Sequence, residues 1–304
     1  MSLASWIKPY EEYLELEYLA RNPNPKLISY LKGNEHMIDW SNLSANPNAI
    51  DMFWNTNRIN WKKICLNPHP KAIELIYKKH EENMAKYKRQ RRICEYSILS
   101  WENLSQNPSA VEFLTENPYN VCSWFQELPY EPNEDDYDFV SQYSVNECDE
   151  DRINWSWLSA NPNALSLLKE NKDMIDWLWL STNPSSTAIK LLKNNKKNID
   201  WSWLSTNPKA IKLLEGNQDK IDWLQLCKNP NAIHLIKENT LDIDWCYLSA
   251  NPNAIEILEQ YREKLDWRWL CKNPNAAFYL EENIEKQFDK LDWRWLSENP
   301  CIFE

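Results

Sequence analysis

The side chains able to do chemistry are few in this sequence, and their spacing is unusual. Four histidines, His36, His69, His80 and His234, are scattered; they form no HExxH pair and no Cys/His metal spacing. Eight cysteines include no CxxC pair. Three of them, Cys65, Cys227 and Cys271, fall four residues after a recurring Trp, where other segments carry Ser. That placement predicts a small side chain in a shared niche and reduced thiols in a cytosolic compartment. Two glycines in 304 residues rule out a phosphate-cradling glycine loop and GxGxxG, and no GxSxG occurs. The aspartates Asp176, Asp200, Asp222, Asp244, Asp266 and Asp292 recur in a row that could hold cations or move protons. Each directly precedes a Trp that opens a helical pattern, which is the place of an N-cap. No catalytic, metal-ligating or cofactor-binding residue is assigned, and the chain is read as a non-enzyme with no cofactor.

Two patterns point to recognition chemistry. Two residues past the recurring Trp stand Trp157, Trp179, Trp203, Tyr247, Trp269 and Trp295. Gln225 interrupts this series, and Asn42, Lys63 and Asn103 take the place nearer the start of the chain. On a helix this position lies roughly 200° from the first Trp, so the rings could form an aromatic ladder along one surface. The alternative is that they pack into the neighbouring unit, and the sequence leaves both open. The second pattern is the basic run Lys86, Lys88, Arg89, Arg91 and Arg92. It reads either as a nuclear-localisation or polyanion patch or as a solvated helix extension. The net charge of −11 opposes nucleic acid as a partner, because neutralising phosphates is what drives such binding.

The element that positions these residues is a repeat. Trp40, Trp61, Trp101, Trp155, Trp177, Trp201, Trp223, Trp245, Trp267 and Trp293 each precede an Asn-Pro pair by the same interval. From Trp201 to Trp223, Trp245 and Trp267 the step is 22 residues. A divergent first unit contains Leu16, Leu19 and Asn22-Pro23, and a degenerate one surrounds Trp124. Within each unit a short first helix must stop at Asn, since a residue before Pro leaves the helical region. The Asn is then placed to cap a second helix with Pro at its first position. After Asn251-Pro252 the residues Ala254, Ile255, Ile257 and Leu258 form one apolar stripe at helical spacing. Asn171, Asn217, Asn239 and Asn283 are expected to end second helices in a left-handed conformation, replacing the scarce Gly. One unit cannot bury its stripe alone, so stacked units are expected to bury Trp, Leu, Ala and Ile together.

The fold expected is all-α, an α-solenoid of about a dozen ~22-residue two-helix repeats. It divides into N-terminal repeats over 1–77, a basic helical insertion over 78–95 and divergent repeats over 96–127. An acidic loop insertion over 128–151 and a regular array over 152–304 follow. No run of ~18 apolar residues marks a membrane span, and residues 1–10 do not read as a secretory leader.

The units INWSWLSANPNALSLLKEN, IDWLQLCKNPNAIHLIKEN and IDWCYLSANPNAIEIL resemble the Trp/Asn-Pro repeat proteins of giant nucleocytoplasmic DNA viruses. The resemblance covers nearly the whole chain and departs at Leu16, around Trp124 and in the two charged insertions. It implies a viral origin and a repeat architecture, and supplies no active-site residues. The expectation is a protein–protein interaction scaffold in the host cytoplasm or viral factory, with another protein as partner. A virion-associated structural component and an RNA-binding helical repeat are the alternatives.

Overall fold

A computed structural model describes residues 3–53, 57–90, 98–117, 153–239 and 242–303, with backbone alone at 84 and 86–90. The described residues form an all-α solenoid without strands; one antiparallel bridge joins Leu3 to Phe303. Among them, no helix is long and apolar enough to cross a membrane.

The repeat built on Trp245 shows the local logic. The Asp244 carboxylate accepts from the amide of Tyr247 at 2.9 Å and starts the helix Trp245–Ala250. Asn251, held extended at φ −77° and ψ 120° by Pro252, ends it. The second helix, Ile255–Gln260, follows, and then a single 3-10 turn, Arg262–Lys264. That turn is a third element, which the two-helix reading did not anticipate. It recurs as Lys172–Met174, Lys196–Asn198 and Gln218–Lys220. Leu248, Ala254 and Leu258 are completely buried, and each such Leu contributes about 2–3 kcal/mol of gross burial energy.

Three local expectations are corrected. First, among the described residues, the Asn-Pro of a repeat opens a helix directly only at the 3-10 segments Pro47–Met52 and Pro300–Ile302. Elsewhere the second helix starts later: after Asn207 at Ile211, and after Asn183 at Ser186, capped by Ser185. Second, the Asn residues after the second helices are not left-handed: Asn171 sits at φ −121° and Asn217 at φ −147°. Their side chains cap instead, with Asn171 Nδ2 donating to Leu167 O and Asn217 Nδ2 to Leu213 O. A primary amide can satisfy an orphan carbonyl without the backbone changing hand. Asn283 ends nothing, because its helix runs Ala277–Gln287. Third, the recurring Trp is not central core. Only Trp101 is buried, at 1% exposure; the others described are half-buried. Their rings lie at the rim, against the segment after the second helix: Trp245 meets Tyr261, Trp293 meets Phe288, and Lys220 lies over Trp201. The interior space between short, closely stacked helices suits Leu, Ala and Ser, and an indole is too large for it.

The chain forms two compact units, one of 1–59 with 176–304 and one of 60–175. In the first, the repeats headed by Trp177, Trp201, Trp223, Trp245, Trp267 and Trp293 stack in chain order. The stack then continues with the repeats at Leu16 and Trp40, from the other end of the sequence. Asn22 Nδ2 donates to Ser297 O at 2.9 Å and Asn299 O at 2.7 Å, and Ala4 N donates to Ile302 O at 2.8 Å. Ile7, Leu19 and Ile302 are fully buried in this region.

The second unit holds the repeats of Trp61, Trp101 and Trp155, with Asn107 and Asn161 making the same cross-repeat bonds. Its helix Pro70–Gln90 runs for 21 residues, a continuous extension that carries Lys86, Lys88 and Arg89. Arg91 and Arg92, the acidic segment 128–151 and Trp124 lie outside the described residues.

The recurring Ser links repeats through its hydroxyl. Ser181 Oγ donates to Trp177 O at 2.9 Å and accepts from Asp200 N at 3.1 Å. Cys227 and Cys271 take this niche as expected, with Sγ 3.4 and 3.3 Å from Trp223 O and Trp267 O. Burial pushes the Cys227 thiol up to about 11 and the Cys65 and Cys271 thiols up to about 12. These thiols therefore stay protonated at neutral and mildly basic pH. Ellman's reagent at about pH 8 is expected to label them only as fast as the fold opens, with urea accelerating the reaction. Cys227→Ser and Cys271→Ser should each change unfolding free energy by less than about 1 kcal/mol, since the hydroxyl meets the same two partners.

Candidate functional site: an aromatic ladder on a buried amide ladder

The site begins with the buried Asn of each Asn-Pro pair. Asn207, Asn229, Asn251, Asn273 and Asn299 are at most 3% exposed. Each Nδ2 donates to two carbonyls of the preceding repeat; Asn251 reaches Cys227 O at 2.9 Å and Asn229 O at 3.1 Å. Each Oδ1 accepts from the amide two residues on, at 3.0 Å from Asn253 N to Asn251. Only a short primary amide offers two donors and an acceptor here; Asp cannot donate and Gln is too long. The second Asn of NPNA adds an exposed bond, with Asn253 Nδ2 reaching Pro230 O at 2.9 Å. This inter-repeat role was missed in the sequence, where Asn reads as a local cap.

The amide ladder holds consecutive first helices side by side and in register. The Asp caps then fix the ladder residues themselves. Asp200 Oδ1 accepts from Trp203 N at 2.9 Å, Asp266 Oδ1 from Trp269 N at 2.9 Å, and Asp292 Oδ1 from Trp295 N at 3.3 Å. The carboxylate row is thus a row of caps, as the sequence suggested. Among the described residues, no group of three His, Cys, Asp or Glu side chains is placed to hold a metal ion.

In the first unit the predicted rings meet. Trp179 and Trp203 stack with centroids 6.1 Å apart and planes 22° from parallel. Tyr247 meets Trp269 edge-on at 5.3 Å, and Trp269 meets Trp295 at 5.0 Å. Gln225 interrupts the row, as its type requires. The rings pack against neighbouring repeats; Trp203 is 41% exposed, while Trp179, Tyr247, Trp269 and Trp295 are partly buried, as the recurring Trp are. Trp157 belongs to the second unit, where its indole Nε1 donates to Glu102 Oε1 at 3.2 Å.

Two features of the ladder escaped sequence reading. Tyr18 occupies the ladder position in the repeat stacked after Trp295, with Arg21 over its ring at 5.1 Å. Leu16, Leu19 and Asn22 set its register, but only the stacking places this repeat after that of Trp293. The second feature is cationic. Lys228 Nζ lies 3.8 Å from the Tyr247 centroid, and Lys272 Nζ lies 3.9 Å from Trp295 and 4.9 Å from Trp269. Arg268 lies over Trp295 at 5.2 Å while pairing with Asp292 at 3.3 Å. Asp292 is 7% exposed. Burial pushes its carboxyl up, but bonds from Arg294, the Trp295 amide and Arg268 outweigh this and leave it below the usual carboxylate range.

Comparison with protein-family models, curated proteins and solved structures finds no match for the chain. The functional reading therefore rests on the repeat and on this surface.

Proposed function

We propose that the chain is a protein-binding scaffold whose recognition strip is the aromatic ladder. The observation that carries this reading is the ladder itself: part-exposed rings at one position of successive repeats, broken at Gln225, lying outside the buried Leu, Ala and Asn lattice. Large aromatic side chains in a contiguous exposed row are typical anchors of protein interfaces. The resemblance of the repeats supports a viral origin, with action in the host cytoplasm or the viral factory. The five described cysteines, all free thiols, support a reducing compartment.

The test is the triple variant Trp179→Ser, Trp203→Ser, Trp269→Ser. Helical circular dichroism should be retained, and stability should fall by about 1–3 kcal/mol per ring from lost burial and ring contacts. Proteins crosslinked to the wild-type chain in infected cells should be absent from the variant's set. Loss of folding would assign the ladder to architecture and remove the reading.

A further inference from the structure

The charge on the ladder is unlike the charge on the rest of the chain. The molecule carries −11 overall, yet the half of the strip formed by Tyr247, Trp269 and Trp295 is lined by Lys228, Arg268 and Lys272. Arg268 is paired with Asp292. Lys228 and Lys272 are exposed, and among the described residues neither has a carboxylate partner; Lys228 donates to the Gln225 side chain at 2.8 Å, and both ammonium groups lie over ladder rings. The nearby aspartates Asp266 and Asp292 are engaged in capping helices, and the one carboxylate in the row of Lys228 and Lys272 is Glu298.

We infer that this strip binds an acidic, partly apolar peptide segment of a partner protein, a conclusion that rests on the protein-binding reading above. Apolar side chains of the peptide would lie along the ring edges, and its carboxylates would pair with the two lysines, which have no carboxylate of their own. A single-stranded nucleic acid also combines planar and anionic groups, but it needs open ring faces on which bases can stack. Here each of the three rings has a neighbouring ring and a lysine or arginine head against it.

Selection of random short peptides displayed on phage, on the immobilised full-length chain, tests the inference. Enriched sequences should be rich in Asp and Glu with interspersed apolar residues. Binding of the best peptide should weaken about tenfold in the Lys228→Glu, Lys272→Glu variant, and the Lys→Gln pair should weaken it less. Both lysines are exposed, so the variants should fold. Enrichment of neutral or basic peptides, no enrichment, or equal binding to the charge-reversed chain would overturn the inference. So would single-stranded RNA that binds at low salt and is released by the same lysine changes. If no acidic peptide binds while crosslinked partners still depend on the three tryptophans, the scaffold reading stands and this one falls.

Discussion

Replacing Asn251 with Asp is expected to lower the unfolding free energy by about 3–5 kcal/mol at neutral pH, although the side chains have the same shape. Asn251 is 2% exposed, and its amide group donates to two carbonyls of the preceding repeat. A carboxylate cannot donate. Two buried carbonyl oxygens would lose their partners and would face a buried negative charge. The introduced carboxyl would have a folded-state pKa raised above its unfolded value near 4. The defect should therefore be smallest below about pH 4, where the group is protonated in both states, and should grow as pH rises through that value. The control is Asn253→Asp, two residues on, where only one exposed bond to Pro230 O is lost. It should cost about 1 kcal/mol or less. Urea unfolding of both variants at two pH values measures this. Equal stabilities for Asn251→Asp and the wild type would show that the amide ladder does not hold the repeats together.

The second large effect concerns the stacking of residues 3–53 on 293–303. The double variant Leu19→Ala, Asn22→Ala should destabilise this junction by about 4–7 kcal/mol, from a core cavity and three lost amide bonds. Leu19 is fully buried. Asn22 reaches Ser297 O and Asn299 O and accepts from Asn24 N at 3.0 Å. Each repeat meets only its neighbours, so the loss should stay local. Hydrogen exchange should accelerate at least tenfold in the segments 16–33 and 293–303 and change little around 201–226. Unchanged protection over 293–303 would mean that the interface does not stabilise that repeat.

Much of this architecture was legible in the residues. The all-α repeat, its 22-residue step, the Asp caps and the stop before Pro are set by interactions within a few residues of one another, so the local pattern reveals them. The ladder positions were legible too, because helical geometry alone places Trp179, Trp203, Tyr247, Trp269 and Trp295 on one row. Depth was not. Periodicity tells which face of a helix a Trp occupies, and the packing of neighbours decides whether that face is centre or rim. That is why Trp201, Trp245 and Trp293 came out half-buried while Leu204, Leu248 and Leu296 fill the interior.

The tertiary structure alone decided three things. It turned the Asn of Asn-Pro from a local cap into a donor across repeats, since its two acceptors lie 22 or more residues away in the chain. It gathered Lys228, Arg268 and Lys272 around rings of neighbouring repeats, which no spacing within one repeat announces. It also placed the repeat of Leu16 after that of Trp293, across 275 residues between Asn22 and Ser297. Every repeat presents the same Asn, Ser and carbonyl groups on its two faces, so the sequence by itself determines how a repeat folds and how it can stack. Which repeats become neighbours is settled only when the chain brings two such faces together.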